Sequence, residues 1–135
     1  MNNEKTIYFA TKAVIVKDNK FLAMHKSVAK GPWLELPGGR MEFGESAEET
    51  LKREIFEETK LEVKPVKILD TWNYVGEDYQ ITGIIYLCEI ESGEVTLSEE
   101  HDSFQWLDLR GSSKEKMHKA FRERMENWDW SKIKG

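Results

Sequence analysis

The chain has 135 residues, of which 33% are charged, and a formal net charge of −5 at pH 7. This length suffices for one domain with its own hydrophobic core, so we expect a single domain over residues 1–135. The negative charge argues against a general nucleic-acid-binding surface or a surface for anionic membranes. No apolar run approaches the length that crosses a bilayer, and the polar first residues lack a signal-peptide core, so we expect a cytoplasmic protein.

Strands dominate the predicted elements. Alternating or β-rich segments predict six strands, over residues 6–16, 21–25, 33–37, 63–75, 80–90 and 103–107. Ser46 and Glu49 form a capping-box signature, so a helix should begin near Ser46. A second helix is predicted from Met117 to Trp128 by apolar residues that recur at three and four. Strands with one helix in mid-chain and one at the end predict an α/β sandwich on a mixed sheet.

Two further residue types bear on the core. The single cysteine, Cys88, has no partner for an internal disulfide, and its apolar neighbours predict a buried strand residue. Trp128 and Trp130 near the C-terminus could complete the core or line a dimer contact, and we expect the core. A monomer or a homodimer is compatible with the sequence.

The segment from Gly39 to Leu61 carries seven glutamates. Glu54, Glu57 and Glu58 are spaced i, i+3 and i+4, so they project from one side of the predicted helix. Three neighbouring carboxylates stay ionised at pH 7 only beside a positive charge; otherwise one pKa must rise. Oxygen ligands suit Mg²⁺, Mn²⁺ and Ca²⁺, whereas zinc prefers the His and Cys that this segment lacks. The pattern therefore predicts a divalent-cation site.

The remaining residues of this helix indicate how the site is oriented. Its apolar members form one stripe, Ala47, Leu51 and Ile55. This stripe lies beside the acidic arc, which places the carboxylates at the edge of the buried face. Arg53 can pair with Glu57, four residues later, or with Glu45 from the preceding loop. We expect Arg53 to orient carboxylates rather than to touch substrate.

These residues also carry a resemblance to a known family. The matching positions are Gly39, Glu45, Arg53, Glu54, Ile55, Glu57, Glu58 and Leu61. With both spacers in register, the segment resembles the Nudix box of the MutT/Nudix hydrolases, GX5EX7REUXEEXGU, where U is aliphatic. Lys60 stands where the pattern has Gly, at a helix end where a left-handed lysine costs about 1 kcal/mol. We interpret Lys60 as a tolerated variation, the alternative being a domain that binds without cleaving.

The resemblance implies a Nudix fold, an α/β/α sandwich with a mixed β-sheet, and an activity. That activity is hydrolysis of a pyrophosphate bond in a nucleoside diphosphate derivative, with Mg²⁺ or Mn²⁺ as cofactor. It implies that Glu54, Glu57, Glu58 and the Gly39 carbonyl bind metal. Family members take the base either from a glutamate of the box or from an acidic residue on a later loop. The resemblance therefore leaves the catalytic base open among Glu54, Glu57 and Glu58 of the box and Glu100 of the loop. Glu100 is the candidate loop ligand or base, with a solvated acidic turn as the alternative. We expect the substrate to be a (deoxy)nucleoside triphosphate, either canonical or modified, cleaved to monophosphate and pyrophosphate.

Candidate substrate contacts lie outside the box. Lys12, His25 and Lys26 could meet phosphates, the alternatives being solvated lysines and a structural histidine. Tyr79 falls where many dinucleoside polyphosphate hydrolases have a tyrosine, the alternative being a role in core or rim packing. Aromatic candidates for stacking on a base are Phe9, Trp33, Trp72, Tyr74 and Phe104.

Other functions stay open at this point. Within enzymes, the alternatives are hydrolysis of dinucleoside polyphosphates or of nucleotide sugars such as ADP-ribose. Alternatives from other classes are a non-catalytic nucleotide sensor and an acidic domain that buffers Ca²⁺ or contacts proteins. The complete glutamate set argues against a sensor, because binding alone does not need so many neighbouring negative charges.

Overall fold

The computed structural model describes residues 4–26 and 31–133, without the side chains of Ser112 and Ser113. Residues 1–3, which belong to the polar start without a signal-peptide core, lie outside the described range. The strands are β1 (Thr6–Lys17), β2 (Lys20–His25), β3 (Gly38–Arg40), β4 (Glu62–Val75), β5 (Tyr79–Ser92) and β6 (Ser103–Asp108). The helices are α1 (Ala47–Thr59) and α2 (Lys119–Met125), with 3-10 turns at Ser112–Lys116 and Trp130–Lys132. None of the helices in the described ranges has the length and apolar character needed to cross a bilayer.

The six strands form one mixed sheet, as predicted. The strand order is β4-β5-β1-β2-β6, and β3 pairs with β1. β1 and β5 run parallel, from Thr6 opposite Tyr79 onward, and the other pairings are antiparallel. The segment around β3 lies between β1 and β2, since Glu35 bridges to Met24 of β2 while β3 pairs with β1. This inserted segment separates β1 from β2 at the point where the acidic residues gather.

One helix covers each face of the sheet, which gives the α/β/α sandwich. Successive side chains of a strand point to opposite faces. Ala13 and Ile15 of β1 pack in the cluster that contains α1, whereas Val14 and Val16 pack in the cluster that contains α2. Trp128 and Trp130 pack against the α2 cluster, as expected. Cys88 is buried on the α1 side, and this burial raises the pKa of its thiol to about 12.

Two predicted elements differ from the structure. The strand predicted over 33–37 is reduced to isolated bridges at Leu34 and Glu35, and regular pairing starts at Gly38. Pro37 has no N–H to donate, and its carbonyl accepts from the Ala13 N–H at 2.9 Å. The predicted 117–128 helix is shorter, because Met117 is extended and bridges Leu34, so that α2 begins after His118 and ends at Met125.

The ends of α1 match the expectation closely. Ser46 caps the helix and forms the reciprocal capping box with Glu49. At the other end, Lys60 adopts the left-handed conformation with φ 66°, and its N–H donates to the Phe56 carbonyl. Lys60 therefore adopts the backbone conformation that favours the glycine of the Nudix-box pattern.

Replacing Lys60 with glycine should stabilise the protein by about 0.5–1 kcal/mol, because glycine adopts positive φ without a Cβ clash. The loss of the contact between the Lys60 ammonium and the Phe56 ring, 5.1 Å from its centroid, offsets part of the gain. Urea unfolding measures the effect. Lys52→Gly, in mid-helix, is the matched control and should destabilise by about 1 kcal/mol. A destabilised Lys60→Gly variant would contradict the argument.

Candidate functional site

The glutamates of α1 lie directly against the glycine turn that precedes the helix. The Gly38 N–H donates to Glu58 Oε1 at 2.9 Å. Gly39 lies so close to Glu54 that a Cβ there would sit 2.3 Å from the carboxyl carbon. Any larger residue would displace this carboxylate, so the turn and the helix are fitted to each other. Three of the predicted metal-binding groups therefore lie close together: Glu54, Glu58 and the Gly39 backbone.

The loop between β5 and β6 completes the acidic group, and its Val95 and Leu97 pack in the same cluster as α1. The Thr96 N–H donates to the Thr59 carbonyl at 2.8 Å, and the Ser98 N–H donates to the Glu58 carbonyl at 3.3 Å. This ladder holds the loop along the end of α1. As a result, ligand atoms of Glu58, Glu100 and His101 all lie within 4.8 Å of one another. Glu100 was predicted from the sequence, whereas His101 was not.

Burial raises the pKa values of two of these carboxylates despite nearby positive charge. Glu58 is 5% exposed, and burial raises its pKa to about 7, against the opposing charge of Lys12 and the Gly38 hydrogen bond. Burial also raises the pKa of Glu54. The hydrogen bond and charge of Arg53 oppose this shift, and the charges of Glu57 and Glu100 add to it. A bound cation would reverse these shifts. The carboxylate set, with the buried His101 ring beside it, fits a divalent cation.

Arg53 connects most of the acidic residues in this segment. It forms a bidentate pair with Glu45, at 2.6 Å and 3.0 Å. Its other nitrogen contacts Glu54 at 2.9 Å and Glu57 at 3.3 Å, and a further bond reaches the Arg40 carbonyl at 3.0 Å. The hydrogen bonds from Arg53 lower the pKa of Glu45 to about 2. This geometry suits the predicted orienting role.

A cavity of about 350 Å³ opens on the α2 face beside this cluster. Its lining includes three of the four predicted substrate contacts and three of the five aromatic candidates: Lys12, Lys26, Trp33, Trp72, Tyr74 and Tyr79. His25, Phe9 and Phe104, the other three candidates, do not line it. The cavity can therefore present aromatic faces and positive charge to one ligand.

Lys12 and Glu35 join the cavity to the acidic cluster. Lys12 is buried; its ammonium donates to the Leu36 carbonyl at 3.2 Å and lies 5.7 Å from the Trp72 ring centroid. Glu35 lines the cavity and also accepts from His101 at 3.4 Å. Sequence reasoning missed Glu35 as well as His101. Their positions in the sequence could have identified both residues, since Glu35 leads into the glycine turn and His101 follows Glu100.

The raised pKa of Glu58 predicts how the stability of the metal-free protein depends on pH. From the ordinary value of 4.5 up to about 7, the folded protein keeps a proton on Glu58 that the unfolded chain releases. The contribution of Glu58 to stability is therefore fully present below about pH 4.5, and it is lost as the pH rises through 7. With EDTA present, we expect the free energy of unfolding to fall by on the order of 2 kcal/mol between pH 5 and 7.5.

Other titratable groups with shifted pKa values also contribute to the pH dependence of stability. The hydrogen bond to Asp102 raises the pKa of His25, so its contribution is also lost with rising pH. Glu35 and Glu45, with pKa values of about 2, lose their contribution only as the pH falls below 4.5. Denaturant unfolding across this range measures the slope. Glu58→Gln should reduce the slope, with His25 and Glu54, whose pKa values are also raised, supplying the remainder. Equal slopes in variant and wild type would refute the assignment.

Comparison with known proteins agrees with the geometry. A model of the NUDIX domain family matches residues 8–128. The chain is 31% identical over 109 residues to the ADP-ribose pyrophosphatase of Methanocaldococcus jannaschii, covering 78% of this chain and 64% of that protein. It is 33% identical over 96 residues to the asymmetrical bis(5'-nucleosyl)-tetraphosphatase of Mus musculus, covering 67% and 65%.

A third relative is longer. The NAD-capped RNA hydrolase NudC of Mannheimia succiniciproducens is 37% identical over 83 residues, which are 58% of this chain and 30% of that protein. The chain thus spans between 30% and 65% of the length of these three relatives. Among solved structures, the MutT protein of Methanosarcina mazei Go1 superposes with a TM-score of 0.84 at 26% identity, covering 97% of this chain and 99% of that one. Together with the glutamate cluster, these matches show that the chain belongs to the MutT/Nudix family.

Proposed function

We propose that this protein hydrolyses a pyrophosphate bond in a nucleoside diphosphate derivative and depends on a divalent cation, Mg²⁺ or Mn²⁺. The observation that carries the proposal is the convergence of α1, the glycine turn and the loop before β6 on one acidic site. The proposed metal-binding groups are Glu54, Glu57, Glu58, Glu100 and the Gly39 carbonyl. A cytoplasmic location stays a prediction of the sequence.

The chemistry requires neutralised phosphate charge and a proton acceptor. A divalent cation held by the cluster would supply charge neutralisation and would lower the pKa of attacking water. A carboxylate then takes the proton of that water. Glu100 is exposed beside Glu58, so it can serve as loop ligand or as this base. Lys12, at the junction of cavity and cluster, is placed to neutralise a phosphate oxygen.

For the substrate, the sequence favours a (deoxy)nucleoside triphosphate cleaved to monophosphate and pyrophosphate. The aromatic cavity supports a nucleobase as its occupant, since Trp33 and Tyr74 present partly exposed rings there. Glu35 and Lys12 then lie between the base and the acidic cluster. In this arrangement the phosphates point toward the glutamates of α1.

A second candidate substrate carries a moiety at each end of the phosphates. An open basin of about 470 Å³ adjoins the first cavity and shares Lys26, Tyr79 and Ile81 with it. Tyr8 lines the basin and Lys12 lines the cavity, on the same face of β1 and about 13 Å apart at 3.3 Å per residue. Two adjoining sites suit a two-headed molecule. Two relatives, named for ADP-ribose and for bis(5'-nucleosyl) tetraphosphate, favour the same class.

The test of the proposed function is a substrate panel. Purified protein is given canonical and oxidised nucleoside triphosphates, dinucleoside polyphosphates and ADP-ribose, each with Mg²⁺, Mn²⁺ or EDTA, and released phosphate or pyrophosphate is measured. Hydrolysis of a preferred substrate that EDTA abolishes supports the proposal. Silence across the panel from folded protein would favour the non-catalytic binding module, and Lys60 would then be the first residue to revert to glycine.

Arg40 distinguishes the two substrate classes. Its guanidinium stacks on Tyr8, 4.3 Å from the ring centroid, and lines the basin but not the aromatic cavity. Arg40→Ala should raise KM for a two-headed substrate about tenfold, the worth of one charge-assisted hydrogen bond, and leave KM for a triphosphate unchanged. Arg110→Ala, outside both sites, is the control. An equal effect of Arg40→Ala on both classes would argue against a separate second subsite.

A further inference from the structure

We propose that His101 is a nitrogen ligand of the divalent cation at this site and that Glu35 is the residue that positions it. The inference rests on the cation site of the proposed function. It adds a ligand type that the Nudix-box pattern of glutamates and glycine does not contain. It also gives a function to two residues that the motif leaves unused.

The first observation is an unpartnered buried nitrogen. The His101 side chain is 1% exposed, and its Nδ1 has no hydrogen-bond partner among the described residues. Buried polar atoms without partners are rare in folded proteins, so each one calls for an explanation. Ligand atoms of Glu58 and Glu100 lie within 4.8 Å of a ring nitrogen of His101. A cation among these three groups would satisfy all of them.

The second observation is the partner of the other ring nitrogen. His101 Nε2 lies 3.4 Å from Glu35 Oε1. A carboxylate oxygen accepts hydrogen bonds, so Nε2 is the donor in this pair. With its proton on Nε2, the imidazole has its lone pair on Nδ1, the buried nitrogen without a partner among the described residues.

This pairing has the form that positions histidine ligands elsewhere. Histidines that bind metals donate their other ring N–H to a carboxylate or carbonyl, which fixes the tautomer and the ring orientation. Here the carboxylate is Glu35, and it lies on the segment that separates β1 from β2. The glycine turn and the imidazole are thus held by one short stretch of chain.

The loop that carries His101 is anchored on both sides of it. The His101 N–H donates to the Ser98 carbonyl at 3.4 Å, and the Asp102 N–H donates to the His25 carbonyl at 3.0 Å. The Asp102 carboxylate also pairs with His25 Nδ1 at 2.6 Å. These bonds hold the imidazole beside Glu58 before any cation arrives.

An imidazole ligand changes the preferred ion. Mg²⁺ selects oxygen ligands, whereas first-row transition ions also accept imidazole nitrogen. His101→Gln should weaken Mn²⁺ binding about tenfold or more and Mg²⁺ binding less, as measured by calorimetric titration. Glu35→Gln should weaken Mn²⁺ binding in the same direction, because an amide can also donate to Nε2 and favour the wrong tautomer.

The decisive experiment is pulsed electron paramagnetic resonance of the full chain loaded with Mn²⁺, with ¹⁵N in the histidines alone. The chain has three histidines, so each can be tested. We expect a ¹⁵N coupling in the wild type that persists in His25→Gln and His118→Gln and is lost in His101→Gln. If His101→Gln does not fold, the other two variants still assign the coupling by elimination.

The outcomes separate the inference from the proposed function. Mn²⁺ binding without nitrogen coupling, or a coupling that survives in His101→Gln, would overturn the His101 ligand and leave the acidic site intact. Failure of the folded wild type to bind Mn²⁺ would overturn both.

Discussion

Replacing Glu57 with glutamine should lower turnover by about two to four orders of magnitude while the protein still folds. Glutamine keeps the shape of the side chain but removes its negative charge. The side chain can then neither bind a cation as a carboxylate nor accept a proton. The Glu57 side chain is 57% exposed and pairs with Arg53 at 3.3 Å. We therefore expect the substitution to change the free energy of unfolding by about 0.5 kcal/mol or less. Steady-state kinetics and urea unfolding of the same preparation measure both quantities.

Glu48→Gln is the matched control for this experiment. Glu48 is exposed on the same helix, in the first turn and away from the acidic cluster. It should retain full turnover. Retention of more than a tenth of wild-type activity by Glu57→Gln would show that Glu57 is not part of the chemistry. A sensor module would instead keep its ligand in both variants and show no turnover in either.

The second large effect is expected at Arg53. Lysine at this position keeps the charge, but it cannot reproduce the bidentate pair with Glu45 while also contacting Glu54 and the Arg40 carbonyl. We expect Arg53→Lys to lower the free energy of unfolding by about 2 kcal/mol and kcat about 10- to 100-fold. Cation affinity should fall as well, because Glu54 loses its orienting partner.

Arg124→Lys provides a control of similar local chemistry. Arg124 pairs with Asp70 through two nitrogens on the α2 face, outside the acidic cluster. Arg124→Lys should lose less stability than Arg53→Lys, because the Arg124 side chain is 45% exposed, and it should keep its kcat. If both variants lose kcat equally, the effect of Arg53→Lys is one of general destabilisation. If Arg53→Lys keeps wild-type cation affinity, its orienting role is wrong.

The sequence predicted well what neighbouring residues determine. The capping box at Ser46 and the apolar period of α1 are local signals, and they placed the helix and its glutamates correctly. The long strands of β4 and β5 were found within a few residues, since alternation and length are also local. The sandwich followed from the order of elements.

Contacts between segments that are distant in the sequence could not be predicted from these local signals. Glu35 and His101 are 66 positions apart and meet because the β3 segment inserts beside β1. The shortening of the last predicted helix has the same cause, since Met117 bridges to Leu34 instead of joining the helix. In each case a pairing across the sheet overrode a local pattern, and no local periodicity encodes that pairing.

The buried thiol of Cys88 has a practical consequence for spectroscopy. With a pKa of about 12, only about one molecule in a hundred thousand carries the thiolate at pH 7, and the side chain is inaccessible. Alkylating reagents should therefore leave the native protein unlabelled. A cysteine introduced at the exposed position Glu91 would react alone, and a spin label or fluorophore there could report distances to a paramagnetic ion without removal of the native cysteine.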